Sequence, residues 1–78
     1  MILKINDKVS WVGAWGNDQP KEVTVKSIEF LTEKRNKNST TEESFIDAIN
    51  WELVPDWCIV DFTENEHWAY GYQIKPLT

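Results

Sequence analysis

The run His67-Trp68-Ala69-Tyr70-Gly71-Tyr72-Gln73-Ile74 alternates large aromatics with small or polar residues. A two-residue period belongs to a β-strand, where successive side chains point to opposite faces of the pleat. Five tryptophans in 78 residues sharpen that constraint. A fully buried aromatic removes ~150–250 Å² from water, an upper bound of ~4–6 kcal/mol at ~25 cal/mol/Å². Two or three buried Trp therefore weigh heavily in a chain that buries only ~60–65% of its unfolded surface. Seven Ile, six Val, four Leu and three Phe can build most of a core, so not all five indoles need be inside. The length allows one domain, residues 1–78.

The rest of the chain also reads mainly as strands. Asn6-Asp7 is a turn signal before a first strand, Val9 to Trp15, and Gly16-Asn17-Asp18-Gln19-Pro20 is a dense turn. Lys21 to Phe30 is a second strand whose phase slips: Val23 and Val25 share one face, Ile28 and Phe30 the other. A bulge or bend near Lys26-Ser27 reconciles them. Residues 32–41 read as a polar, mobile loop. Thr40-x-x-Glu43 is a capping-box pattern ahead of Phe45, Ile46 and Ile49, which predicts a short helix of about two turns. The alternation Phe45, Ile49, Trp51, Leu53 leaves strand open there. Pro55-Asp56 breaks the chain, Trp57–Phe62 and His67–Ile74 form a hairpin, and Pro76 ends it. The expected fold class is mainly β: a small barrel of about five strands, with one short helix or long loop inserted before the C-terminal hairpin.

Charge and cysteine content narrow the function classes. The net charge is −5 with a pI near 4.7. A duplex-binding surface needs clustered Lys and Arg, and the one basic cluster, Lys34-Arg35-Asn36-Lys37, is followed by Glu42-Glu43. It reads as a solvated loop, and a nucleic-acid partner is disfavoured. One cysteine excludes an intramolecular disulfide. Met1 to Asp7 has neither a long apolar core nor a small-residue cleavage site, and no run nears the ~18 apolar residues of a membrane span. A cytoplasmic protein with no membrane partner is expected. Asn38-Ser39-Thr40 matches a glycosylation sequon that has no use without secretion.

Asp7-Lys8-Val9-Ser10-Trp11 resembles the opening strand of SH3-like barrels, a turn followed by a Val-x-Trp strand. Ile59-Val60-Asp61-Phe62 through His67–Ile74 resembles a small bacterial family of unknown function with such a barrel. The resemblance covers about half the chain, and segment 31–50 departs from its compact pattern. It implies an SH3-like barrel and no particular activity, because such barrels host many functions. It also implies binding through aromatics at the open edge of the barrel. The matching positions are Trp15, Trp51, Trp57 and Tyr72, with Asp18, Asp56 and Asp61 as acidic neighbours. Such rings stack a proline-rich ligand or enclose a cationic ammonium group.

Hairpin register decides which rings are available. A three-residue loop Thr63-Glu64-Asn65, with Asn in the left-handed position, pairs Phe62 with Glu66, Val60 with Trp68 and Cys58 with Tyr70. One face is then a clean core of Cys58, Val60, Phe62, Trp68, Tyr70 and Tyr72. A loop of two or four residues pairs Phe62 with His67 and sets the aromatics beside Trp57, Ile59 and Asp61, making both faces apolar. Alternation favours the first register.

Catalytic candidates are thin. A Cys–His nucleophilic pair must be Cys58 and His67, several residues apart along the ladder in either register at ~3.3 Å per residue. Cys58 reads as a core residue and His67 as a surface ion-pair partner of Asp61, Glu64 or Glu66. Glu42-Glu43 suit a helix start, and Gly13, Gly16 and Gly71 are too scattered for a phosphate loop. No metal site, cofactor or enzymatic activity is expected. The favoured function is a binding module for a peptide or protein partner, monomeric or weakly dimeric. The alternative is an acidic accessory protein that docks on a basic partner, such as a nucleic-acid mimic.

Overall fold

A computed structural model describes residues 1–13 and 19–77, so Trp15 and Asp18 lie outside the described residues. The domain is small and mainly β, with antiparallel sheets and one short helix. β1 (Ile2–Lys4), β2 (Lys8–Trp11) and β3 (Lys21–Phe30) come first. β4 (Phe45–Ile46), β5 (Ala48–Asn50) and the single turn α1 (Val54–Trp57) follow. β6 (Cys58–Phe62), β7 (Trp68–Tyr70) and β8 (Ile74–Pro76) close the chain. The main sheet runs β7-β6-β3-β2-β8 with β4 also on β3, and β1 pairs with β5 separately.

β3 spans the residues expected of it, and its pairing with β6 shifts register between Val25 and Ser27. The extra residue at Lys26 lets Val23 and Val25, then Ile28, all face inward. Its first half pairs with β2 and its second with β6 and β4. Val9, Trp11, Val25, Ile28, Val60, Phe62 and Ala69 form the centre of the core. Trp11 packs its ring 4.9 Å from Phe62. Phe30 is not inside with Ile28: it is at the surface, stacked 6.3 Å from Trp57.

Several local expectations are corrected. The first strand, expected over Val9–Trp15, ends at Trp11, with Val12 and Gly13 outside it; the rest of that expectation lies outside the described residues. Ile2–Lys4 is a further strand that buries Leu3 opposite Ile49. The helix expected over Phe45–Ile49 is absent. A 3-10 turn, Glu42–Ser44, occupies the capping site instead, with Thr41 and Ser44 exchanging the reciprocal bonds. β4 and β5 follow it, paired with β3 and β1; a helix of two turns is marginal by itself, so tertiary pairing decides the segment. The helix lies at Pro55-Asp56, the presumed break. Proline fits a first helical turn, where its missing N–H is no loss.

The expected last strand is interrupted by a 3-10 turn, Gly71–Gln73, after which β8 crosses to β2. Among the described residues no ladder joins β7 to β8, so the sheet does not close into a barrel. Gln73 bridges this gap. Its Oε1 accepts the Tyr70 N–H (2.9 Å), its Nε2 donates to the Gly13 carbonyl (3.3 Å) and its own carbonyl accepts the Val12 N–H (3.2 Å). Gly71 presses directly on α1, where an added Cβ would lie 1.6 Å from the Val54 carbonyl oxygen.

The hairpin takes the other register. Ile59 pairs with Tyr70, Val60 with Ala69 and Asp61 with Trp68, across a four-residue connection, 63–66. The connection is pinned to β3. Glu64 accepts the Thr24 N–H and hydroxyl, each at 2.7 Å, and the Thr63 N–H donates to the Thr24 carbonyl (3.0 Å). These bonds hold the Glu64 carboxyl below its ordinary pKa, the side-chain bond from Thr24 first.

Two outcomes follow from these contacts. Gly71→Ala forces α1 off the 3-10 turn and costs about 3 kcal/mol, the upper end of overpacking effects. Its thermal midpoint falls by more than ~10 °C, as a domain of this size loses ~4–8 °C per kcal/mol. An unchanged midpoint would show that this close approach carries no weight. For Glu64 the folded pKa is depressed, so its contribution is complete above the unfolded value of ~4.3. It is lost as pH falls through the lower folded value. Denaturant melts from neutral to acid pH measure this: Glu64→Gln is less stable at neutral pH, and its gap to the parent closes in acid. A gap that persists in acid contradicts the assignment.

Candidate functional site

The register correction rearranges the aromatics. Residues directly opposite in an antiparallel pair share a face, so Trp68 and Tyr70 lie with Asp61 and Ile59 on the outer side. Trp68 is 39% exposed and Tyr72 46% exposed. Trp68 meets Tyr70 edge-on at 5.2 Å, and Tyr70 stacks on Tyr72 at 5.3 Å. The three rings form a row rather than a core layer. An open groove of about 430 Å³ runs along it, lined by Glu66, His67, Trp68, Tyr70, Tyr72 and Gln73.

Alternation misjudged this face because it assumes that one side of a hairpin meets water. Ile59 is on the outer side and still buried; with Leu31 it lies outside the main hydrophobic cluster. The segment after β3 reaches this face. The Lys37 N–H donates to the Tyr70 hydroxyl (3.3 Å), and the Lys37 Nζ sits 3.8 Å from the centre of the Trp68 ring. The Arg35 guanidinium sits 4.7 Å from the centre of Tyr72. The basic cluster is therefore not simply a solvated loop: it supplies the cations of an aromatic site.

Asp56 anchors that segment. Its Oδ1 accepts the Arg35 Nε–H at 2.7 Å, its Oδ2 lies 3.8 Å from the Lys34 ammonium and its carbonyl accepts the Arg35 N–H at 2.8 Å. Arg35 holds φ 54°, a left-handed conformation that costs a non-glycine residue about 1–2 kcal/mol. Two anchoring bonds from one aspartate offset that strain. Lys37 makes no salt bridge among the described residues.

The expected site residues do not converge. Tyr72 is in the row and Asp56 beside it. Trp51 is half-buried against the core, its N–H bonded to the Met1 carbonyl. Trp57 is half-buried and belongs to a second, apolar groove of about 490 Å³ with Phe30, Leu31, Thr32 and Leu53. Asp61 accepts the Ser27 hydroxyl at 2.8 Å and faces Trp68 across the ladder. Trp68, Arg35 and Lys37 were not among the expected residues. Their signals were the four-residue register and the basic cluster.

Cys58 is buried, its thiol donates toward the Val54 carbonyl (3.5 Å), and burial pushes its pKa up to about 12. His67 packs 5.5 Å from Trp11 and makes no ion pair among the described residues. Among those residues no group of three or more His, Cys, Asp or Glu is placed to hold a metal ion. No helix there is long and apolar enough to cross a membrane. Comparisons with protein-family models, curated proteins and solved structures find no match.

Proposed function

We propose that this protein is a non-catalytic binding module that docks a peptide or partner protein on the row Trp68–Tyr70–Tyr72. One observation carries the reading: two large rings stay solvent-exposed on a face ordered by stacking and by two cation–π contacts. Tyr and Trp give a partner large contact area at low entropy cost, and Arg completes the residue set that dominates binding hot spots. The one thiol is protonated at neutral pH, which agrees with a non-catalytic role. The SH3-like reading of the fold is part of the same proposal. It is supported by the strand order β7-β6-β3-β2-β8, the bend in β3 and the 3-10 turn before the last strand.

Peptides selected from a random library against the intact protein provide the test. Selected peptides bind with affinity that drops at least ~10-fold, about 1.4 kcal/mol, in Tyr72→Ala and in Trp68→Ala. Both positions are exposed, so the variants retain the parent's thermal midpoint within a few degrees. Selected peptides that bind both variants as tightly as the parent would sink the proposal.

A further inference from the structure

We infer that the segment bound on this row is acidic: an extended peptide whose carboxylates reach Lys37 and Arg35 while its apolar groups lie on Trp68 and Tyr72. This rests on the binding-module reading and specifies its partner. An exposed aromatic row on an acidic protein first suggests a cationic ligand, since ring faces attract ammonium and guanidinium groups. Here the protein's own cations already fill those positions. Lys37 lies 3.8 Å over Trp68 and Arg35 lies 4.7 Å over Tyr72. An incoming cation must displace them and meet their repulsion. An incoming carboxylate uses them where they stand.

The charge distribution points the same way. Lys34, Arg35 and Lys37 stand together, and Asp56 pairs with the first two. Glu33 is a further nearby carboxylate, and it accepts the Asn36 side-chain amide at 2.6 Å; Asp61, opposite Trp68 on the same face, accepts the Ser27 hydroxyl at 2.8 Å. The Lys37 ammonium has the Trp68 ring and no salt bridge among the described residues, so its donors are open to an anion. Arg35 is half-exposed and Lys34 more so. At the far end of the groove Glu66 disfavours further negative charge, which confines the acidic part of the ligand to the Arg35–Lys37 end.

A single-stranded nucleic acid is the competing polyanion, because bases stack on exposed rings beside Lys and Arg. Stacking needs a bare ring face. Arg35 and the stacked Tyr70 both lie against Tyr72 and Lys37 lies over Trp68, so a run of successive bases finds at most one further face of Trp68 to stack on. A carboxylate needs only the cations. The chain's net charge of −5 also opposes a ligand with a charge at every residue more than a short mixed peptide.

The test titrates the intact protein with four probes while the indole signal of Trp68 is followed by NMR. The probes are a Glu/Pro/Leu decapeptide, the same peptide with Lys for Glu, the same peptide with Gln for Glu, and a ten-residue oligothymidylate. The Glu peptide binds at least ~10-fold tighter than the Gln peptide and weakens several-fold from ~0.05 to ~0.5 M salt, as a surface charge contact must. Lys37→Gln abolishes the preference for Glu over Gln. Asp56→Asn, which frees Arg35 and Lys34, increases it. Tighter binding of the Lys peptide or of the oligothymidylate overturns the acidic-partner inference. So does equal binding of the Glu and Gln peptides, and in each of these cases the module reading stands if the Trp68 signal moves. A Trp68 signal that no probe moves overturns the inference, and the library selection then decides the module reading separately.

Discussion

The extra residue at Lys26 is what lets one strand serve both halves of the sheet. Without it, the phase set by Val23 and Val25 would turn Ile28 out of the core. With it, β3 bends and continues from β2 onto β6 and β4. Thr24 lies just before the bend and receives the hairpin connection through the Glu64 carboxylate and the Thr63 N–H. The connection is thus held by a neighbouring strand as well as by its own turn, in which the His67 N–H donates to the Asn65 Oδ1 at 2.8 Å. Fixing it sets β7 on β6 one residue away from the alternative, and a one-residue slip exchanges the faces of every side chain. The place of Trp68 and Tyr70 is settled by a contact made some forty residues earlier in the chain.

That register leaves a hairpin with two apolar faces, which requires cover for the second. Burying Ile59 and Leu31 is worth about 2–3 kcal/mol each. The individual polar contacts are smaller: exposed cation–π pairs contribute ~0.5–1 kcal/mol and exposed salt bridges ~0–1 kcal/mol. The segment after β3 is held mainly by apolar burial and by the backbone bonds of Leu31 and Arg35 to Trp57 and Asp56. The side chains of Lys37 and Arg35 are therefore not what keeps it in place. They can change partners at small cost, which is the condition for a surface that binds something else.

The parts of this fold legible in the sequence were those that depend on one segment alone. β3 and its bulge follow from the phase change within ten residues. The turn at Asn6 follows from a residue that tolerates the left-handed φ of 74° found there. What failed depended on two segments at once. The helix predicted over Phe45–Ile49 gave way to pairing with β1 and β3, which no local pattern encodes. The hairpin register turned on Thr24 and on cover from residues 31–44. Of the expected site, Tyr72 and Asp56 were placed together, while Trp51 went to the core and Trp57 to a separate groove. Strand alternation counts apolar residues correctly but assumes which face is wet, and that assumption fails wherever an insertion covers a sheet.

Net charge says little about any one face for a related reason. A value of −5 is a sum over the whole chain, while a ligand at contact responds to charges within ~8 Å at physiological ionic strength. The domain measures 31 × 24 × 22 Å, so opposite ends are screened from each other. Three of the eight basic residues fall within four positions, at 34, 35 and 37. The fold brings Arg35 and Lys37 to the face where Trp68 and Tyr72 are exposed. Sequence composition averages that cluster against thirteen carboxylates, most of them elsewhere. An acidic protein can thus carry a locally cationic aromatic surface.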